Sequence, residues 1–466
     1  MKMDDSELTV MIGLEIHVQL ATKSKLFCSC NTDYQTAEGP NENVCPTCTA
    51  QPGTKPYDMN ACAFEQALKI ALALGCDKMR DSVTMQRKHY FYPDLPSNYQ
   101  RTSTPIAEGG SLAGVSITEV HIEEDPGRYD LKTGIVDFNR AGVPLLEIVT
   151  DPVITSPDHA RKFLEELRAV LDYLGAARDV ESGSMRADAN LSIKGHNRVE
   201  VKNINSFHGV FSALTYEAAR QKNMVKNGLE PDRETRHYDE DRQITMGMRK
   251  KESVDDYRYI PDPDVQPIAI TKEQLKKISD SLPELPRKKM ERFKSQYGAS
   301  DDESFALCME LAMADAFERI AKKVDAKLAA GFMRGTLKKQ LNFRSWDFAK
   351  IAPKEQFITQ LLLILFEKKV TDKVAEKILI DAMDDKTGAS TAEQYAQSAG
   401  LLGVQSSDEL GAIIEKAIAD NPKAVADFAA GNEKALQFIA GSVMRLSRGK
   451  ADPAAVQEIL KKRLSK

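Results

Sequence analysis

Residues 8–20 read LTVMIGLEIHVQL, and the alternation inside this stretch decides the architecture. Val10, Ile12, Leu14, Ile16 and Val18 fall on one face of a strand, while Glu15, His17 and Gln19 fall on the other. The same two-residue period returns further along. In SMRADANLSI (residues 184–193), Met185, Ala187, Ala189, Leu191 and Ile193 oppose Arg186, Asp188, Asn190 and Ser192. In RVEVKNINSF (198–207), Val199 and Val201 oppose Arg198, Glu200 and Lys202. TEVHIEEDPGR (118–128) ends a strand with Glu123, Glu124 and Asp125, and VPLLEIVTDP (143–152) embeds Glu147 in an apolar strand.

These strands predict an antiparallel sheet with one apolar and one polar face. Amphipathic helices interrupt them, so the fold class is α+β. In SPDHARKFLEELRAVLDYLG (156–175), Ser156 suits the N-cap, Pro157 the first helical position and Gly175 the stop. NACAFEQALKIALALG (60–75) is a second such helix.

For any single strand, a polar face is simply a wet face. Five strands with acids, Asn and a lone His make a richer surface, and Glu147 would be costly to bury without a partner or a metal. Carboxylates gathered this way suit Mg2+, which takes oxygen ligands and keeps waters and phosphate oxygens in its shell. Arg186 and Lys202 are suited to phosphate oxygens, with Asp188 and Glu200 beside them. The pattern looks like an ATP site built on a sheet. G-x4-G-K-[ST] and G-x-G-x-x-G are both missing from the sequence, so a P-loop or Rossmann reading has no support.

Cys28 and Cys30 form C-x-C, and Cys45 and Cys48 form C-x2-C. Two such pairs resemble a structural four-thiolate zinc knuckle. Four free buried thiols or a redox pair are the other readings. Cys62, Cys76 and Cys308 read as small core residues.

The chain has 466 residues, which predicts about two to three domains. Residues 1–290 are mixed and form the catalytic candidate, with a linker near 285–296. Residues 291–400 read as a helical domain and 401–466 as a small basic helical tail, after a soft stretch at 387–409. No apolar run approaches the roughly 20 residues of a membrane helix, and the N-terminus lacks a secretory pattern. A cytoplasmic protein with no membrane contact is expected. The net charge of -5 excludes a wholly basic nucleic-acid binder but not a basic patch. Residues 433–466 hold eight Lys or Arg against three acids. Arg445, Arg448, Lys450, Lys461 and Lys462 are the candidate phosphate contacts. RKHYFYPDLPSNYQ (87–100) and KKESVDDYRYIPDPD (250–264) concentrate basic and aromatic residues, as rigid packing segments or as part of a site.

Together IGLEIHVQLATKSKLFCSC, VCPTC, RKHYFYPDLPSNYQ, EEDPGR, DFNRAGVPLLEIVTDP, GSMRADANLSI, VEVKNINSF, ETRHYDE and DYRYIPDPD resemble the B subunits (GatB) of aspartyl/glutamyl-tRNA amidotransferases. The likeness runs from about residue 9 to the end, and the large inserted domain of the related archaeal E subunit has no room here. The resemblance implies a domain like glutamine synthetase. It implies a reaction in which ATP phosphorylates the side-chain carboxylate of Glu-tRNA(Gln) and/or Asp-tRNA(Asn). Ammonia from the glutaminase (GatA) then displaces the phosphate, and the small GatC protein completes a heterotrimer. Carried over by motif, Glu15, His17, Glu124 and Glu147 would sit at the Mg2+ site with Glu123 nearby, and Asp188, Glu200 and Lys202 would extend it. Lys88 would line the ammonia path or meet the substrate carboxylate. Arg186 would steady phosphates, and His17 could instead accept a proton from ammonium. The alternatives are a zinc-stabilised tRNA-binding module without chemistry, or a ligase acting on a small free acid.

Overall fold

The computed structural model describes residues 8–178, 185–204, 206–250, 257–402, 407–429, 432, 434–447, 451 and 453–464. The chain divides into two compact units, residues 1–286 and 287–466.

The first unit is organised by a thirteen-stranded sheet, ten strands of which follow one path. These are β1 (Val10–Gln19), β2 (Met85–His89), β3 (Tyr99–Ser103), β4 (Val115–Glu124), β5 (Pro144–Thr150), β6 (Met185–Ile193), β7 (Val199–Ile204), β8 (Glu234–Asp239), β9 (Ile244–Lys250) and β10 (Ile260–Pro261). Their spatial order is β9-β8-β7-β6-β1-β5-β4-β3-β2-β10. β1 therefore lies near the middle, paired antiparallel to β5 and β6. Along the path one pair, β7 with β8, runs parallel. A parallel pair needs a crossover, and the helix Phe207–Lys226 supplies it.

The apolar half of each strand does what its period predicts. Ile12, Leu14, Ile16 and Val18 are at most 1% exposed. They pack with Ala189, Leu191, Ile122 and Ile148 in one core. Helices α1 (Ala61–Ala73), α2 (Pro157–Leu174) and α3 (Phe207–Lys226) close that face with Phe64, Leu68, Phe163, Leu167, Val210 and Leu214. The start of α2 is fixed by the Ser156 hydroxyl accepting from the His159 N–H at 3.1 Å. Its end is fixed by Gly175 at φ 56°, where a side chain would be strained. With helices on one face, the other face is left to polar side chains.

The second unit is helical among its described residues. The segment expected to be a linker is instead the helix Pro286–Tyr297. Its Phe293 and Tyr297 rings meet Phe317 at centroid distances of 4.9 and 5.3 Å, so this helix is packed rather than a tether. Within the soft stretch, Ala392–Ser398 is helical because Thr391 and Gln394 form a capping box. A separate small core joins Leu410, Ile414, Leu436, Ile439, Val456 and Leu460. Cys76 and Cys308 are buried as expected, but Cys62 is exposed at the first turn of α1.

Candidate functional site

Directly opposed residues of an antiparallel pair share a face, so register places the polar side chains. His17 stands opposite Glu147 on β5 and opposite Arg186 on β6. Glu15 stands opposite Asp188, and Asn190 opposite Glu200. Sequence-distant polar residues thus gather in neighbouring rows on one face of the sheet.

The centre of this polar face is Glu15, His17 and Glu147. The His17 Nε2 atom lies 3.5 Å from both a Glu15 and a Glu147 carboxylate oxygen. One donor atom from each residue fits within 4.8 Å of the others, close enough to share an ion. The other imidazole nitrogen, Nδ1, is buried without a hydrogen-bond partner. Burial, then the neighbouring Glu147, pushes Glu15 up to about 7. Glu147 moves the other way: burial would raise it, but the bond from His17 and the proton on Glu15 hold it below the carboxylate range. For His17, burial favours the neutral ring, yet Glu147 wins and the imidazole is raised. Two repelling carboxylates that converge on the His17 Nε2 atom are a donor set that a divalent cation would satisfy.

Around this centre runs a groove of about 800 Å³. At one end Lys88 lies 5.0 Å from the centre of the Tyr257 ring. Burial disfavours the Lys88 charge, but the field of Glu123 overrides it and raises the ammonium. Glu123 is 2% exposed, raised chiefly by burial, and accepts from the Gln100 amide at 3.0 Å. At the other end Lys202 bridges Asp188 and Glu200 at 3.3 and 3.2 Å. Arg186 lines the groove and donates to Asp125 at 3.2 Å.

Glu124, expected beside the trio, is not brought there. Successive strand residues point to opposite faces, so Glu123 takes the groove and Glu124 turns away. Its carboxylate accepts from Arg101 at 3.1 Å and lines a second cavity of about 390 Å³ that also touches Cys48. Arg101 and Arg87 in turn both bind Asp262, whose side chain is fully buried, at 2.7 and 2.9 Å. The sequence reading assigned no site role to three residues, one of which, Asp125, it named only as a strand-end acid. Asp125 anchors Arg186 and accepts from Gln19 at 2.5 Å. Gln100 orients Glu123, and Asp262 ties the β10 strand down. The quoted strings contain all three, but nothing local tells an anchoring acid from a solvated one.

The four thiols of Cys28, Cys30, Cys45 and Cys48 also lie within 4.8 Å of one another. The Cys48 thiol is drawn down to about 5, first by a hydrogen bond from Cys28. That bond raises Cys28 in exchange, and burial raises Cys30 to about 11. The Cys45 N–H donates to the Cys48 sulfur at 3.2 Å. Lys25, 1% exposed, points its ammonium at the same sulfur at 3.5 Å and at the Asn43 carbonyl at 2.9 Å. Four convergent sulfurs with N–H and ammonium support fit a tetrahedral zinc ion.

In the tail, Arg445, Lys461 and Lys462 are exposed. Lys462 pairs with Glu458 at 2.7 Å on the helix Pro453–Leu464. Arg448 and Lys450 lie outside the described residues. Among the described residues no helix is long and apolar enough to cross a membrane.

A polar-faced sheet joined to a cysteine knuckle belongs to a known class of domain. The GatB/GatE catalytic domain matches residues 10–276, and the GatB domain matches residues 315–464. The chain belongs to the GatB family. It is 49% identical to the B subunit of the aspartyl/glutamyl-tRNA(Asn/Gln) amidotransferase of Methanobrevibacter smithii, over 98% of this chain and 100% of the relative. It is 49% identical to the protein of that name from Methanothermobacter thermautotrophicus, over 97% and 99%. For Methanocaldococcus jannaschii the identity is 46%, over 99% of each.

Proposed function

We propose that this chain is the amidating subunit of a glutamine-dependent tRNA amidotransferase. It takes Glu-tRNA(Gln) and/or Asp-tRNA(Asn), activates the side-chain carboxylate with ATP, and converts it to the amide with ammonia from a glutaminase partner. The complex is completed by a small third protein. Family membership supports the reaction class, and the Glu15–His17–Glu147 trio is the observation that carries the chemistry.

A magnesium ion held by Glu15, His17 and Glu147 would neutralise ATP oxygens while the phosphoryl group moves. The chain's own groups do the rest. Lys88, kept charged by Glu123, orients the substrate carboxylate as nucleophile. Arg186, braced by Asp125, and Lys202, braced by Asp188 and Glu200, hold phosphate oxygens. The carboxylate oxygen attacks the γ-phosphorus of ATP; the bond from that phosphorus to the β–γ bridging oxygen breaks, ADP leaves, and an acyl phosphate is formed. Ammonia then forms the C–N bond as the C–O bond breaks and phosphate leaves. His17, where it is not a metal ligand, is placed to take the proton that the attacking nitrogen sheds. The four cysteines hold a structural zinc ion. Residues 401–466 contact tRNA phosphates through Arg445, Lys461 and Lys462, with Arg448 and Lys450 in the same basic segment. A tRNA-binding module without chemistry has no use for a buried acid–imidazole trio.

The test is amidation by the complex purified from its native host, with glutamine, ATP, Mg2+ and each mischarged tRNA. Amide formation that needs all four components is expected. Equal activity on free glutamate or aspartate without tRNA would overturn the reading in favour of a small-acid ligase.

A further inference from the structure

The two ends of the groove differ in kind. The β6–β7 end is charged, with Asp188, Glu200 and Lys202. The β2 end is walled by rings. Tyr257 meets Tyr90 and Tyr259 edge to face, each pair at a centroid distance of 6.1 Å. Phe91 is 85% exposed, Tyr259 49% and Tyr92 47%. The rings stand on anchored backbone. The His89 N–H donates to the Tyr257 carbonyl at 2.8 Å, and Asp262 clamps the β10 strand to Arg87 and Arg101. Pro93 and Pro96 stiffen the loop behind Phe91.

An apolar ring held in water at the mouth of a reactive groove points to an occupant. The proposed reaction names one. The carboxylate to be activated belongs to an amino acid esterified to the 3′-terminal nucleotide of a tRNA, and that end is unpaired. Unpaired bases are held by aromatic faces interleaved with cations. RKHYFY (87–92) and YRY (257–259) supply that interleaving. A protein partner is the competing class, but interface cores are depleted of lysine, whereas Lys88 sits against the Tyr257 ring here.

We propose that Phe91, Tyr92 and Tyr259 stack the unpaired 3′-terminal nucleotides of the mischarged tRNA, so that its aminoacyl group enters the groove from the Lys88 end. This inference rests on the reading above. The complex carrying Phe91→Ala or Tyr259→Ala is compared with wild type in two assays. With tRNA bearing 2-aminopurine at its 3′ terminus, wild type should quench the fluorescence, and each alanine variant should lose much of the quenching. In steady state, KM for mischarged tRNA should rise roughly 5- to 150-fold per base left unstacked, with KM for ATP and kcat unchanged. Phe91→Trp should restore both readouts. Alanine variants with unchanged quenching and unchanged KM would overturn the proposal. So would variants that lose their protein partners while quenching persists, since the rim would then be a protein interface. A wild-type complex that amidates nothing would refute the functional reading instead.

Discussion

The carboxylate trio and the thiol knuckle draw on one continuous stretch of chain, Glu15 to Cys30, yet they are built differently. The trio is positioned by sheet register. His17 is opposite Glu147 because β1 pairs with β5, and that pairing is held by backbone hydrogen bonds and an apolar core. The knuckle sits on turns outside the main sheet, with the Ser24–Asn31 bridge closing its first half. Its cohesion comes from shared thiol protons, backbone N–H donors to the Cys28 and Cys48 sulfurs, and the Lys25 ammonium. A hard cation at the trio therefore adds chemistry to a geometry that stands without it. A soft cation at the knuckle would take the place of those shared protons and lock sulfurs that already converge.

The sharpest way to break this comparison is to damage the trio. Glu147→Gln should lower amidation by about 10³-fold or more, since metal stabilisation of the transition state is worth several kcal/mol. Thermal stability and one zinc per chain should be retained; a variant that lost zinc would show the two sites to be coupled. Stripping zinc should do the reverse. If free zinc normally exceeds its Kd by about a thousandfold, removal costs about 4 kcal/mol of stability, visible as a lower melting temperature before activity is lost. Lys25→Met tests what holds the soft site. Zinc affinity, measured against a chromophoric chelator, should fall about 10- to 100-fold, the usual cost of losing an outer partner. An unchanged affinity would make Lys25 a packing residue. The smallest effect belongs to the second unit. Lys462→Ala should weaken tRNA binding a few-fold and reduce the slope of log affinity against log salt by about one, leaving the zinc content and the rate at saturating tRNA as they were.

Much of this comparison was legible from local pattern. The alternation in residues 8–20 and 184–193 assigned each side chain to its face, and the cap residues bounded α2. The resemblance supplied the reaction. What escaped depends on register and long-range pairing. Glu123 and Glu124 are adjacent acids at a strand end, and only the pairing of β4 with β5 and β3 decides which one faces the groove. Asp262 lies about 160 residues from Arg101 along the chain, and no local signal joins them. The stretch LPELPRKKMERFKSQYG (282–298) contains two prolines and many charges, so it reads as a tether. Its helix exists because Phe293 and Tyr297 find Phe317.

The central claim is that Glu15, His17 and Glu147 form the site at which the substrate carboxylate is phosphorylated. Rapid quench with γ-labelled ATP and mischarged tRNA, ammonia withheld, measures this most directly. The account predicts that wild type transfers label to an acid-stable, hydroxylamine-sensitive acyl phosphate, and that Glu147→Gln binds the tRNA normally but forms none. Label transfer by Glu147→Gln at the wild-type rate would contradict it.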